Sequence, residues 1–71
     1  MTYFYRFIYR HKYKNMIAHR IRQIEVEPNE WNFEEPAHDA WHDASVWAMS
    51  DRPNKNYELS EIILEEVHDN A

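Results

Sequence analysis

The sequence predicts one α+β domain in which a three-stranded antiparallel sheet packs one helix on one face, in the order strand, strand, helix, strand. Three observations indicate this fold. Two N-terminal segments are rich in aromatic and β-branched residues, a central segment repeats its apolar residues at helical spacing, and a C-terminal segment is again β-like. A chain of 71 residues has room for one core, so residues 1–71 form a single domain.

The strands are predicted from residue type and from the absence of breakers. Residues 2–10 contain aromatic and β-branched side chains and neither glycine nor proline. Residues 16–27 alternate apolar and polar side chains, and residues 57–67 form the last strand before a short tail. Residues 11–15 connect the first two strands as a hairpin loop. Because the chain has no glycine, we expect Asn15 to adopt the left-handed conformation there.

The alternation in strand 2 changes phase along its length. Two isoleucines have one parity and two later apolar residues have the other: Ile17 and Ile21, then Ile24 and Val26. A β-bulge near Arg22 or Gln23 would bring all four side chains to one face.

The helix is expected to run from about Phe33 or Pro36 to Ser50. Asn32 followed by Glu35 has the spacing of a capping box, and proline is tolerated in the first turn. At about 100° per residue, the small and aromatic residues share one stripe. This predicted core stripe contains Ala37, Ala40, Trp41, Ala44, Trp47 and Ala48.

The four alanines of that stripe let the helix approach a sheet face with large side chains. Strand 1 supplies such a face with Tyr3, Tyr5, Phe7 and Tyr9. Because strand 1 is apolar on both parities, we place it in the middle of the sheet. Four residues of strand 1 would then point away from the helix, beside two arginines of strand 2: Phe4, Arg6, Ile8 and Arg10, with Arg20 and Arg22.

Charge is divided sharply along the chain. Six of the eight Lys and Arg residues precede Glu25, whereas all thirteen acidic residues lie from Glu25 onward, and the net charge is −5. This division predicts a bipolar surface that steers partners, unless the two halves interleave in the fold and the field averages out.

Nothing in the sequence indicates catalysis. No serine or threonine stands in a recognisable relation to a histidine and an acid, and without glycine there is no phosphate-binding loop. His38 and His42 have the spacing of two metal ligands on one helical face, near Glu35 and Asp39, but a third ligand is missing. We therefore expect no catalytic residue, no bound metal and no cofactor.

Two surfaces are candidates for binding. The first is the predicted outer face of the helix, where apolar side chains lie among acids as in a protein interface. Its predicted partner-binding residues are Glu35, Asp39, His42, Asp43, Val46 and Met49. The alternative is a nucleic-acid-binding hairpin, with arginines for phosphates and Tyr9 and Tyr13 for stacking, although a pI near 5.4 opposes it. The residues of this alternative site are Arg6, Arg10, Arg20 and Arg22.

In size, aromatic content and charge polarity, the chain resembles small phage-encoded proteins that bind and disable host enzymes. The resemblance covers architecture and size, and no motif carries it. It implies a non-enzymatic inhibitor of a host protein or nucleic-acid-handling complex, such as a CRISPR, nuclease or polymerase complex. A small RNA- or DNA-binding module is the alternative, and a homodimer paired through a sheet edge is a third.

The sequence also bears on the location of the protein. No segment approaches the ~20 apolar residues of a membrane span, and the N-terminus interleaves aromatic residues with arginines instead of forming an apolar signal core. We expect a cytoplasmic protein without a membrane partner, located in the host cytoplasm if it is phage-encoded.

Overall fold

A computed structural model describes residues 1–26 and 36–69 of the chain. Within them lie four elements in the predicted order: β1 (Thr2–His11), β2 (Ile17–Glu25), α1 (Pro36–Ser50) and β3 (Tyr57–His68). The α+β fold is confirmed, and the observed helix has the predicted end at Ser50. The predicted capping pair, Asn32 and Glu35, and the possible start at Phe33 lie outside the described residues.

The three strands form one antiparallel sheet in the order β2-β1-β3, so the aromatic first strand is central as predicted. The ladder continues one residue beyond β1 and β2. The amide of Val26 donates to the carbonyl of Met1 at 3.0 Å, and the N-terminal ammonium donates to the carbonyl of Val26 at 2.9 Å. The central position of β1 leaves it hydrogen-bonded along both edges.

The predicted bulge in β2 is wrong. The β1–β2 register runs without a shift from Thr2 opposite Glu25 to Arg10 opposite Ile17. Ile24 lies opposite Tyr3 and is buried under the helix, whereas Ile21 lies opposite Arg6 on the other side of the sheet and is exposed. The phase change therefore reflects the use of both faces of the sheet by apolar residues, and no residue has to be inserted.

The irregularities occur instead between β1 and β3. The register shifts between Phe4 and Tyr5 and again between Ile8 and Tyr9, where Glu65 and Ser60 are the extra residues of β3. Such bulges redirect individual side chains. Glu65 forms an ion pair with Arg6 across the two strands.

The core is formed between β1 and α1. Along β1, alternate side chains are buried: Tyr3, Tyr5, Phe7 and Tyr9. Three alanines spaced four residues apart on α1 meet them, and all three are fully buried: Ala40, Ala44 and Ala48. Small side chains on the helix opposite large ones on the sheet bring the two layers close together, as predicted.

The predicted helix stripe is too wide. Trp41 is 52% exposed and Trp47 is 44% exposed, and Ala37 is exposed as well. A sheet of three strands is only about 10 Å wide between its outer strands, about the diameter of one helix. The tryptophans lie about 60° to either side of the alanine row. At that angle they meet the sheet edges and are covered on one side only.

The hairpin loop does not use a left-handed residue, since no described residue has a positive φ. The expectation for Asn15 was therefore wrong. Instead, the Nδ1 atom of His11 accepts the backbone N–H groups of Tyr13 and Lys14, each at 3.0 Å. The His11 side chain therefore stabilises the turn by accepting hydrogen bonds, and the left-handed backbone conformation that glycine favours is not used.

Candidate functional site

The outer helix face is the side of α1 turned away from the alanine row. At about 100° per residue, its five described members surround the direction opposite Ala44. They are Asp39, His42, Asp43, Val46 and Met49. Glu35, the sixth residue predicted for this surface, lies outside the described residues.

Two apolar side chains occupy the middle and the C-terminal end of the outer helix face. Val46 is 58% exposed and Met49 is 64% exposed. Neither contributes to the core, which uses the opposite side of the helix. The sequence placed both residues on this face correctly.

The carboxylates of the outer helix face are available to a partner. Across residues 1–26 and 36–69, no ion pair includes Asp39 or Asp43. Asp39 lies in the first turn, where the helix dipole stabilises a negative charge. Asp43 follows four residues later, and like charges at this spacing repel weakly. A cation from a partner would relieve this repulsion.

A set of contacts at its C-terminal end fixes the position of α1. The buried hydroxyl of Tyr9 donates to the main-chain carbonyl of Ala48 at 2.5 Å. The guanidinium of Arg22 donates to both carboxylate oxygens of Asp51, at 2.9 and 2.6 Å, and lies 4.0 Å from the ring centroid of Trp47. These contacts connect the helix end to β1 and β2, so the outer helix face has a fixed orientation on the sheet.

The same contacts shift the pKa values of their groups. Burial, and then the negative charge of Asp51, raises the pKa of Tyr9, while three nearby arginines act in the opposite direction. The hydrogen bond to Asp51 raises the pKa of Arg22, which stays charged. Burial also raises the pKa of Tyr5. Both tyrosines are therefore neutral in the folded protein at physiological pH, and the Tyr9 hydroxyl stays a donor.

The histidines of α1 do not assemble a metal site with other described residues. His38 and His42 are exposed, one turn apart. Within residues 1–26 and 36–69, no group of three or more His, Asp or Glu side chains has the geometry to hold a metal ion.

The structure separates the four arginines of the alternative nucleic-acid site. Arg6 and Arg10 lie on the face of the sheet without a helix, because they alternate with the buried residues of β1. Arg20 and Arg22 are opposite Phe7 and Tyr5, so they lie on the helix side. The prediction that all four lie together is wrong. Because the β1–β2 register has no shift, Arg20 and Arg22 lie on the opposite face of the sheet from the predicted one.

Other roles of these residues also change. Arg6 contacts Glu65 and His19, and Arg22 is held by Asp51. Tyr9 is buried and unavailable for stacking, whereas Tyr13 is exposed.

The molecule is elongated, with principal extents of 46, 19 and 13 Å. The bond from Tyr9 to Ala48 places the C-terminal end of α1 over the hairpin end of the sheet. Arg20, Arg22 and Arg52 all act on the Tyr9 hydroxyl at this end. Asp39 lies in the first turn of α1, away from this end, and Asp43 is the middle residue of the helix.

Comparison with known proteins gives no guidance on function: no family matches, and no curated protein or solved structure is similar. In the described part of the chain, no helix combines the length and the apolar character needed to cross a bilayer.

Proposed function

We propose that this protein is a non-enzymatic, protein-binding inhibitor that covers the surface of a host enzyme or nucleic-acid-handling complex with the outer helix face. The observation that carries the proposal is the exposure of Val46 and Met49 beside carboxylates that no described cation neutralises. Apolar residues surrounded by charges are typical of protein interfaces, where the centre excludes water and the edge gives specificity.

Electrostatics supports a basic partner surface. The face that binds nucleic acid in a polymerase or nuclease is positively charged, and an acidic protein is attracted to it over a distance. Asp39 and Asp43 are about 6 Å apart along the helix axis, which is close to the distance between every second phosphate of one DNA strand, whose charges repeat about every 3.4 Å. The outer helix face would therefore compete with nucleic acid for such a surface.

Packing supports the proposal as well. The outer helix face takes no part in the core, so a partner can bury Val46 and Met49 without rearrangement of the fold. The contacts of Tyr9 and of Arg22 already fix the helix, which lowers the entropic cost of binding. These features favour a rigid binding surface. If the protein is phage-encoded, its place of action is the host cytoplasm.

The proposal is tested by affinity capture from bacterial lysate, with and without nuclease. A protein partner should be retained by the wild-type chain after nuclease treatment. Val46→Ser combined with Met49→Ser should lose it, mainly through faster dissociation. The matched control is Ile17→Ser combined with Ile21→Ser, which removes two exposed apolar residues from the far side of the sheet. Retention of the partner by the helix variant would contradict the proposal.

A further inference from the structure

Two segments that are distant in sequence meet at the hairpin end of the sheet. The amide of Lys12, in the loop between β1 and β2, donates to the carbonyl of Asn56 at 2.8 Å. Asn56 belongs to the loop between α1 and β3. The rings of His11 and Tyr57 also meet edge to face at 5.0 Å. The two loops therefore form one continuous surface.

This surface collects positive charge, and we call it the basic tip. Its members are Arg10, Lys12, Tyr13, Lys14 and Lys55. None of its four cations forms an ion pair within residues 1–26 and 36–69. The nearest acids by position are Glu58, opposite Arg10 in the sheet, and Asp51, which is held by Arg22. The tip thus retains a net positive charge.

Tyr13 is the second feature of the basic tip. Its side chain is 79% exposed, the highest exposure among the large apolar and aromatic residues described. Its backbone N–H is held by Nδ1 of His11, and the two rings lie edge to face at 6.0 Å. The Tyr13 ring therefore lies outside the core, and lysines flank it in the sequence on both sides.

We propose that the basic tip binds single-stranded nucleic acid, with its cations on the phosphates and Tyr13 stacked on a base. Proteins that bind single strands without sequence preference combine these two elements. A duplex would leave the ring unused, because its bases are already stacked on one another. An acidic peptide would use the cations but not the aromatic face.

The net charge of −5 does not prevent the basic tip from attracting a nucleic-acid strand. The carboxylates of the outer helix face, Asp39 and Asp43, lie about 13 and 7 Å along the helix axis from Ala48. Ala48 itself contacts Tyr9, three residues before Lys12. At physiological ionic strength, charges separated by more than about 8–10 Å in water are largely screened from each other. A bound strand therefore responds mainly to the local charge of the tip. With four cations, log K should fall with log salt concentration at a slope of about −2 to −3.

The test uses the full chain and a labelled oligothymidylate of about 12 nucleotides, followed by fluorescence anisotropy at increasing salt concentration. Tyr13→Ala should weaken binding about tenfold, while Tyr13→Phe keeps it, because both aromatic rings stack. Lys12→Gln combined with Lys14→Gln should reduce the magnitude of the salt slope by about 1 to 1.5. The charge-matched control is Gln23→Glu combined with Ala37→Glu, which lowers the net charge equally at two exposed positions far from the tip. It should bind within about twofold of the wild type.

Several outcomes would overturn this inference. They are the absence of saturable binding at low salt, equal loss in the lysine variant and its charge-matched control, and equal affinity of Tyr13→Ala and Tyr13→Phe. Complete displacement of the oligonucleotide by polyglutamate at equal charge concentration would assign the tip to an acidic protein instead. The outcome is independent of the proposed function, because none of the substituted residues belongs to the outer helix face.

Discussion

The Tyr9 hydroxyl determines where α1 lies along the sheet, so its removal tests the packing that orients the outer helix face. Tyr9 is buried, and it donates to the carbonyl of Ala48. That carbonyl is among the last four of the helix, which lack a partner within the helix. Tyr9→Phe keeps the ring and leaves this buried acceptor unpaired, at a cost of about 1–3 kcal/mol. In a domain of this size, ~1 kcal/mol lowers the melting temperature by about 4–8 °C.

The same hydroxyl predicts a pH dependence. Burial raises the pKa of Tyr9 above its ordinary value of 10.0, so above pH 10 the folded state holds a proton that the unfolded state loses. The stabilisation is complete below pH 10 and is lost as the pH rises toward the pKa of the folded state. Tyr5 contributes in the same direction. Tyr9→Phe should therefore lose stability less steeply than the wild type above pH 10.

Thermal unfolding followed by circular dichroism, at neutral pH and at a series of alkaline pH values, measures both effects. Tyr13→Phe is the matched control, because the same hydroxyl is removed from an exposed ring and the melting temperature at neutral pH should not change. An unchanged melting temperature for Tyr9→Phe, together with the alkaline slope of the wild type, would refute the reasoning.

Two further predictions concern the core and metal binding. Phe7→Ala removes a fully buried ring and should lower the free energy of unfolding by about 3–5 kcal/mol. A domain of this size has a total free energy of unfolding of only ~4–10 kcal/mol. Urea titration should therefore find the variant largely unfolded. Trp47→Ala should remain folded and lose about 1–3 kcal/mol of unfolding free energy, because removal of a half-exposed ring leaves no closed cavity. A larger loss for Trp47→Ala than for Phe7→Ala would contradict the observed packing. Chelator treatment and His42→Ala should leave the melting temperature unchanged in a scanning fluorimetry assay, and a loss of several degrees with chelator would indicate a metal site.

Periodicity in the sequence was sufficient to predict most of the fold. The alternation in β1 identified one face of aromatic residues, and the alanines of α1 identified the surface that meets it. Because both patterns are local, they do not depend on how the remaining elements pair. The central position of β1 followed from its apolar residues on both parities, and the structure confirms it.

The predictions were wrong where the outcome depends on the width of the sheet or on the register of its strands. A helical wheel groups Trp41 and Trp47 with the alanines by angle, but it contains no information on the width of the sheet below. The phase change in β2 requires an insertion only if a single face of the strand is apolar. In the observed register, Ile17 and Ile21 lie on the face without a helix. The assumption of a single apolar face also places the arginines of β2 on the wrong side.

The binding surfaces were predictable to different degrees. Val46 and Met49 could be placed on the outer helix face from helical spacing alone, and both are exposed. Four members of the basic tip are local in the sequence, between Arg10 and Lys14. The fifth, Lys55, joins them only when the loop after α1 folds against the hairpin, where the amide of Lys12 donates to the carbonyl of Asn56. No local pattern encodes that contact.

The most direct test of the central claim is isothermal titration calorimetry of the captured partner with a charge-reversed helix. Asp39→Lys combined with Asp43→Lys should abolish measurable binding, since each charge pair lost at a desolvated interface costs about 2–5 kcal/mol. The control is Glu58→Lys combined with Glu61→Lys, which changes the net charge equally on β3 and should retain the affinity of the wild type. Circular dichroism verifies that both variants are folded. Binding of the helix variant at full strength, or equal loss of affinity in the two variants, would contradict the assignment of the outer helix face as the inhibitory surface.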